Sequence, residues 1–455
     1  MNNTGKARQT RPPRAGLLLA LIVLLALAVR ENFVLTSIVE APIRGDIRDY
    51  VNYAWNLIHH HVFSLAPPSQ AAPMPDSYRS PGFPWLIAAC MAVLPNAGWY
   101  FLALQAQIVL GTATVALVGL LGRIWLPDWA ALLAAALLAL WPHHIAASGA
   151  LLSEVMFGFT IVAALYLFER QKWAAGGAMF GLSFLVNPLI ALIPPLLAAL
   201  GWRRAGGRNL TIFLVAFLIP VAALSARNAV MDQNATGRTG RLAANLVQGS
   251  WPLYHAAYRA SFAGIPEAKA LLTHIGEEER LLSDHPAEGL RQIGNRFERA
   301  PMAYLAWYGI QKPWLLWDWN IQMGWGGPYF LEVEKSSLER VPVLRAINRG
   351  FELVNPALTL LMGLAIAMIA YSAWRARRTD VAFDVCLLAL YLTAVHAVLQ
   401  SEPRYANAYR GIEALLVAAA LSGIVAAVGA RARASALRSP RLKDHSHKAL
   451  HEGRT

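Results

Sequence analysis

The sequence predicts an all-α polytopic membrane protein with about ten transmembrane helices, interfacial helices in its first outer loop and a second, long outer loop. Three observations carry this. Of 455 residues, 56% are hydrophobic and only 15% charged, against about half and about a quarter in a soluble domain. Several apolar runs reach the roughly 20 residues that cross a hydrocarbon core of about 30 Å. Much of the net charge of +13 sits in short arginine and lysine clusters at the ends of those runs. That placement writes orientation in a membrane and argues against nucleic acid as a partner.

The first run, 15–37, follows Lys6, Arg8, Arg11 and Arg14, so residues 1–14 are expected to be cytoplasmic. Its apolar core, 15–29, is too long for a signal-peptide core and is followed by Arg30 and Glu31 instead of a small-residue cleavage site, so the run reads as an uncleaved anchor. The stretch 83–95 is too short to span and reads as an interfacial helix within the outer loop 38–98. Spans are then expected at 99–121, 129–145, 151–168, 173–186, 189–202 and 210–226. The pair 173–202 is broken by Asn187-Pro188, and a re-entrant hairpin remains an alternative there. Residues 227–350 are too charged to cross and form the long outer loop. Spans at 351–374, 381–400 and 411–428 follow, within a C-terminal unit 351–429. The basic tail 430–455 is expected to be cytoplasmic and disordered. Cys90 and Cys386 both lie in apolar stretches and read as small core residues.

This orientation gathers Asp46, Asp49, Arg79, Glu154, Arg227, Glu402 and Arg404 on one face. As a helix, "RGDIRDYVNYAWNLIHHHVF" puts Asp46, Tyr50, Tyr53 and Leu57 on one side. Val51, Ala54, Trp55, Ile58 and Val62 form an apolar stripe beside them, as in a helix lying in the membrane interface. A part-shielded Asp46 can hold a raised pKa and take a proton from a hydroxyl. The plainer alternative is that it caps the helix. His59, His60 and His61 are consecutive and point in different directions, so no metal site is assigned, and no cofactor is indicated.

The stretches "GDIRDYVNYAWNLIHHHVFS" and "YRSPGFPWLIAA" resemble the first outer loop of the GT-C glycosyltransferases that use lipid-phosphate sugars. These include the protein O-mannosyltransferase-like family 39 enzymes and the lipid A aminoarabinose transferases. Asp46 and Tyr50 match that pattern's acidic residue and tyrosine; Arg79, Pro81, Phe83 and Pro84 match its basic, proline-rich end. His61, Ser80 and Ile47 depart from it. Four further pieces follow in order. "SGALLSEVMFGF" carries Glu154, and "ARNAVMDQNATGRTGRLAANLVQGSWP" carries Arg227 and Gly240. "APMAYLAWYGIQKPWLLW" carries Lys312, and "EPRYANAY" carries Glu402, Arg404 and Tyr405.

The resemblance implies a sugar donor on polyprenyl phosphate and a lipid, glycan or protein acceptor, meeting on the periplasmic face of an inner membrane. It implies Asp46 as base. Arg79, Lys312 and Arg404 are its candidate phosphate contacts, with snorkelling to lipid headgroups as the alternative for each. Tyr50, Glu402 and Tyr405 are carried as binding residues. Glu154 either orients a substrate or caps a helix, and Arg227 either binds substrate or anchors the interface. Other readings stay open: a transporter or flippase, and a relative without catalysis.

Overall fold

The computed structural model describes residues 13–231, 238–377 and 379–438. The fold is all-α and polytopic; the one strand pair among the described residues is two residues long on each side. Helix α1 (Pro13–Thr36) leads to β1 (Ile38–Val39), then to α2 (Asp46–His59) and α3 (Gly82–Val93) of the first loop. The N-terminal bundle continues with α4 (Gly98–Trp125), α5 (Asp128–Leu140), α6 (Pro142–Ala146), α7 (Glu154–Glu169), α8 (Trp173–Val186), α9 (Ile193–Ala205) and α10 (Gly207–Met231).

The long loop is also mainly helical. It comprises α11 (Arg238–Gly249), α12 (Tyr254–Phe262), α13 (Pro266–Asp284), α14 (Pro286–Arg299), α15 (Pro301–Ala306), α16 (Lys312–Leu316), β2 (Val333–Glu334) and α17 (Ser337–Arg340). Then come α18 (Pro342–Ala376), α19 (Val381–Val398), α20 (Pro403–Ala406) and α21 (Arg410–Arg438).

All ten segments expected to span are helical, but they are not all long enough to cross. Among the described residues six helices pass on length and composition: α1, α4, α10, α18, α19 and the α20–α21 run. The bent pair α5–α6, turning by 52° at Trp141-Pro142, makes a seventh if taken as one span. Helix α7 has 16 residues, α8 has 14 and α9 has 13. At about 1.5 Å per residue none of these reaches 30 Å. The cause lies in the chain itself: Asn187-Pro188 ends α8, and an irregular stretch at 150–153 delays the start of α7. Two ends also move. Helix α18 begins at Pro342 instead of 351, and α21 runs on to Arg438, through the start of the tail expected to be disordered. The rest of that tail lies outside the described residues, as do Lys6, Arg8, Arg11 and Arg378.

Small residues set the packing, as membrane helices require where apolar burial cannot drive association. Helix α8 lies against both α7 and α10. A Cβ on Gly177 of α8 would stand 2.0 Å from the carbonyl of Phe213 on α10, so only glycine allows that approach. The main core runs through α4, α5, α7, α8 and α21, with Val118, Leu138, Phe157, Ile161 and Leu415 buried. In the loops, α11 and α13 share a separate core of Ala243, Val247, Ile275 and Leu282. β1 pairs antiparallel with β2, and Glu40 N–H donates to the Glu332 carbonyl at 2.9 Å, so the first loop and the long loop are joined.

The arginine clusters predict that the first loop faces outward and the α9–α10 turn faces the cytoplasm. A cysteine replacing Met74, which is 69% exposed, is expected to react with an impermeant thiol reagent in intact cells. One replacing the exposed Arg208 is expected to react only after the membrane is opened. Cys90 and Cys386 are buried and give little background. The reverse labelling pattern would invert the topology.

Candidate functional site

Gly45 opens α2 at φ +55°, and Asp46 is its first residue. The cap position belongs to Gly45, so Asp46 stands one residue inside the helix and not at its cap. One oxygen of Asp46 instead accepts from Arg79 Nη2 at 2.6 Å, and the other from Arg404 Nη2 at 2.9 Å. Arg79 also meets Asp49 Oδ2, from Nη2 at 2.6 Å and from Nε at 3.1 Å. Arg404 Nε lies 3.1 Å from Glu154 Oε1, and its guanidinium stacks over Phe330 at 4.4 Å. Asp49, Arg79, Asp46, Arg404 and Glu154 thus form one alternating chain of charge, drawn from α2, the loop before α3, α7 and α20.

The loop and rings around this chain of charge are held from behind. Asp76 fixes the loop that carries Arg79: its carboxylate accepts from Tyr53 Oη, from Leu65 N–H at 2.6 Å and from Tyr78 N–H at 3.1 Å. Asn56 Nδ2 donates to the Ser64 and Ala66 carbonyls at 2.9 and 2.8 Å. Tyr50 stands edge-on to Phe83, and its hydroxyl lies 3.2 Å from Ser153 Oγ. Tyr405 Oη donates to Gln400 Oε1 at 3.0 Å, and its ring stacks on His396.

The expectation of a raised Asp46 pKa is overturned. Burial pushes the carboxyl up, but the touching guanidiniums of Arg404 and Arg79 outweigh burial and hold it well below the ordinary carboxylate range. Its side chain keeps 30% of its surface open.

A cavity of about 610 Å³ adjoins this chain of charge, lined by Asp46, Tyr50, Arg79, Glu154, Arg404 and Tyr405. Three residues named from the motifs stand elsewhere. Lys312 is fully buried and donates to the carbonyls of Gly249 at 3.0 Å, Val398 at 3.5 Å and Leu399. Burial pushes its pKa down to about 7 while those carbonyls favour the ammonium. It closes the seam where α11 meets α19, at Gly249, where a Cβ would stand 1.9 Å from the Leu399 carbonyl. Glu402 is a brace: its carboxylate accepts from the backbone N–H groups of Gln322 at 2.5 Å, Met323 at 2.8 Å and Arg404 at 2.5 Å. Arg227 donates to the Asp76 carbonyl at 2.9 Å and covers the Phe63 ring.

Sequence reasoning missed the roles of Asp49 and Arg241. Asp49 lies one turn after Asp46 on α2, so its partnership with Arg79 was within reach of helical spacing. Arg241 lines the cavity from α11; it lies in the stretch quoted for Arg227 and Gly240, but not at a position the resemblance matches. Among the described residues no group of three or more His, Cys, Asp or Glu side chains is placed to hold a metal ion.

The geometry defines a polytopic membrane protein with an acid held between two arginines at the rim of an internal cavity. Residues 85–184, about a fifth of the chain, match the family described as dolichyl-phosphate-mannose-protein mannosyltransferase. The resemblance to GT-C membrane glycosyltransferases drawn from the motifs is borne out by this match.

Among solved structures, the chain is similar to the oligosaccharyltransferase of Archaeoglobus fulgidus in its apo form, at 15% identity and a TM-score of 0.49. That alignment covers 95% of this chain and 53% of the archaeal one. It is also similar to the AglB oligosaccharyltransferase from that organism in complex with an inhibitory peptide and a dolichol-phosphate, at 15% identity and TM-score 0.45, over 94% and 52% of the two chains. A third is ArnT from Cupriavidus metallidurans bound to undecaprenyl phosphate, at 12% identity and TM-score 0.36, over 95% and 82%. The chain spans about half the length of the archaeal enzymes. No curated protein matches it in sequence.

Proposed function

We propose that this chain is an integral-membrane glycosyltransferase of the GT-C kind. It moves a hexosyl or pentosyl group from a polyprenyl-phosphate donor to an envelope lipid, glycan or protein, on the periplasmic face of the inner membrane, with both termini in the cytoplasm. The observation that carries this reading is Asp46. It sits in the motif that resembles the family's first loop, opens onto a cavity of about 610 Å³, and is held by Arg79 and Arg404.

The chemistry is a direct displacement. The acceptor oxygen bonds to the anomeric carbon as the bond from that carbon to the phosphate oxygen breaks. The phosphate leaves with the electron pair, and the acceptor's proton passes to Asp46. A phosphate monoester leaves without a general acid, so the second carboxylic acid of a glycosidase is not required. The low proton affinity of Asp46 suits late proton transfer, when bonding to carbon has made the hydroxyl acidic. It also keeps the base ionised. Cations along the cavity offset the charge that grows on the leaving phosphate.

No observation favours transport over transfer. Ionisable groups are buried inside the bundle, as a transport path would need. The two buried arginines, however, are tied in place: Arg30 donates to the Ala26, Leu138 and Ala139 carbonyls, and Arg410 to the Trp317 and Asp318 carbonyls and to Glu413. Neither lines the cavity.

The reading is tested by mass spectrometry of lipid-linked sugars and envelope glycans in cells with and without the gene. A polyprenyl phosphosugar is expected to accumulate in its absence, and one glycan, lipid or protein to lose a sugar. Unchanged glycans with altered uptake of a solute would replace transfer by transport.

A further inference from the structure

The cations picked out by motif all have protein partners. Arg79 is shared by Asp46 and Asp49, and Arg404 by Asp46 and Glu154. Lys312 and Arg227 are spent on backbone carbonyls. An anion brought into a partly dry cavity needs a positive charge that is not already neutralised.

One cavity-lining cation has that character. Arg241, partly buried on α11, makes no ion pair among the described residues. Its direction is set by packing. Ala243 and Val247 bury one face of α11 in the core shared with α13, and this leaves Arg241, Leu242 and Asn245 along the cavity. Asn245 Nδ2 donates to the Arg241 carbonyl at 2.9 Å within the helix. The positive charge of Arg241 also acts on Asp46 across the cavity, together with those of Arg404 and Arg79.

Position along the membrane agrees. Asn228 and Ala229, in the last turn of the spanning part of α10, line the same cavity as Arg241, which places Arg241 near the end of a spanning helix. That is the level of a lipid phosphate. Leu224 of α10 and Leu242, itself 52% exposed, line the cavity from the same two helices and offer apolar surface for the first isoprene units.

We infer that Arg241 is the residue that receives the phosphate of a polyprenyl-phosphate ligand, while Arg79 and Arg404 serve first to hold Asp46. This rests on the lipid-phosphate donor proposed above. A guanidinium suits the task, since it offers a planar pair of N–H donors to two phosphate oxygens.

The test is the binding of farnesyl phosphate to the purified full chain in detergent, with farnesol and phosphatidylglycerol titrated in parallel. Wild type is expected to bind farnesyl phosphate well above farnesol. Arg241→Gln is expected to weaken it roughly tenfold or more, as for loss of a charged hydrogen bond. Arg241→Lys is expected to recover part of that loss, and phosphatidylglycerol binding to stay unchanged in both variants. A thermal melt confirms that each is folded.

Equal affinity of wild type and Arg241→Gln for farnesyl phosphate overturns the inference and leaves the transferase reading standing. An equal loss for farnesyl phosphate and phosphatidylglycerol makes Arg241 a general headgroup contact and also overturns it. No preference of wild type for farnesyl phosphate over farnesol overturns both the inference and the lipid-phosphate donor. Should Arg241→Gln not fold, Arg241→Met takes its place: affinity for farnesyl phosphate equal to wild type overturns the assignment, and a loss confined to farnesyl phosphate supports it.

Discussion

Asp46→Asn is expected to fold and insert normally and to lose sugar transfer by roughly 10²-fold or more, the scale of a lost general base. Asparagine keeps the shape and one acceptor oxygen. The arginines keep their second partners, Arg79 with Asp49 and Arg404 with Glu154. The scaffold is therefore preserved while the proton acceptor is removed. Asp49→Asn is expected to be milder, because Asp49 touches Arg79 and does not line the cavity. The measurement is transfer rate against thermal melting for both variants. Loss with Asp49→Asn alone would move the base one turn along α2. The pH profile adds a second check. With Asp46 held well below the ordinary range, kcat/KM should stay level from pH 8 down to about pH 5. A fall centred near pH 6 would point to a different group.

What the sequence disclosed follows from the range of the interactions involved. Apolar runs and terminal arginines are local, and they placed all ten helical segments near their observed positions. They did not disclose how short some of those helices are, which depends on the late start of α7 at Glu154 as well as on the Asn187-Pro188 break. Polar first turns hid the start of α18, where Arg345 and Arg349 precede the apolar run.

Motif likeness brought Asp46, Tyr50, Arg79, Glu154, Arg404 and Tyr405 to one cavity. It could not tell a substrate cation from a structural one. The ammonium of Lys312 is spent on carbonyls 63 and 87 residues away, and nothing local announces that meeting. The low pKa of Asp46 was equally out of reach. It depends on Arg404, 358 residues later in the chain, arriving beside it. Arg241 stood beside the matched Gly240 without being matched itself, and an arginine on an amphipathic helix reads as a solvated face until its neighbours are known.

Arg404→Met is expected to damage both the fold and the reaction, and the two effects can be separated. Arg404 is 12% exposed and lies between Asp46 and Glu154. Glu154 is itself only 8% exposed, and its other oxygen has no hydrogen-bond partner. Removing the guanidinium leaves a buried carboxylate without its counter-charge, which typically costs about 3–5 kcal/mol. The purified variant should therefore melt well below wild type in the same detergent. Arg404→Met combined with Glu154→Gln removes the orphaned charge and should regain much of that stability. Transfer should stay low in the double variant, because Asp46 still lacks the arginine that bonds its second oxygen. Restored melting without restored transfer would assign Arg404 both a bracing and a reaction role. Wild-type melting of the single variant would show that the pair carries no stability. Recovered transfer in the double variant would show that Arg404 acts only by neutralising Glu154.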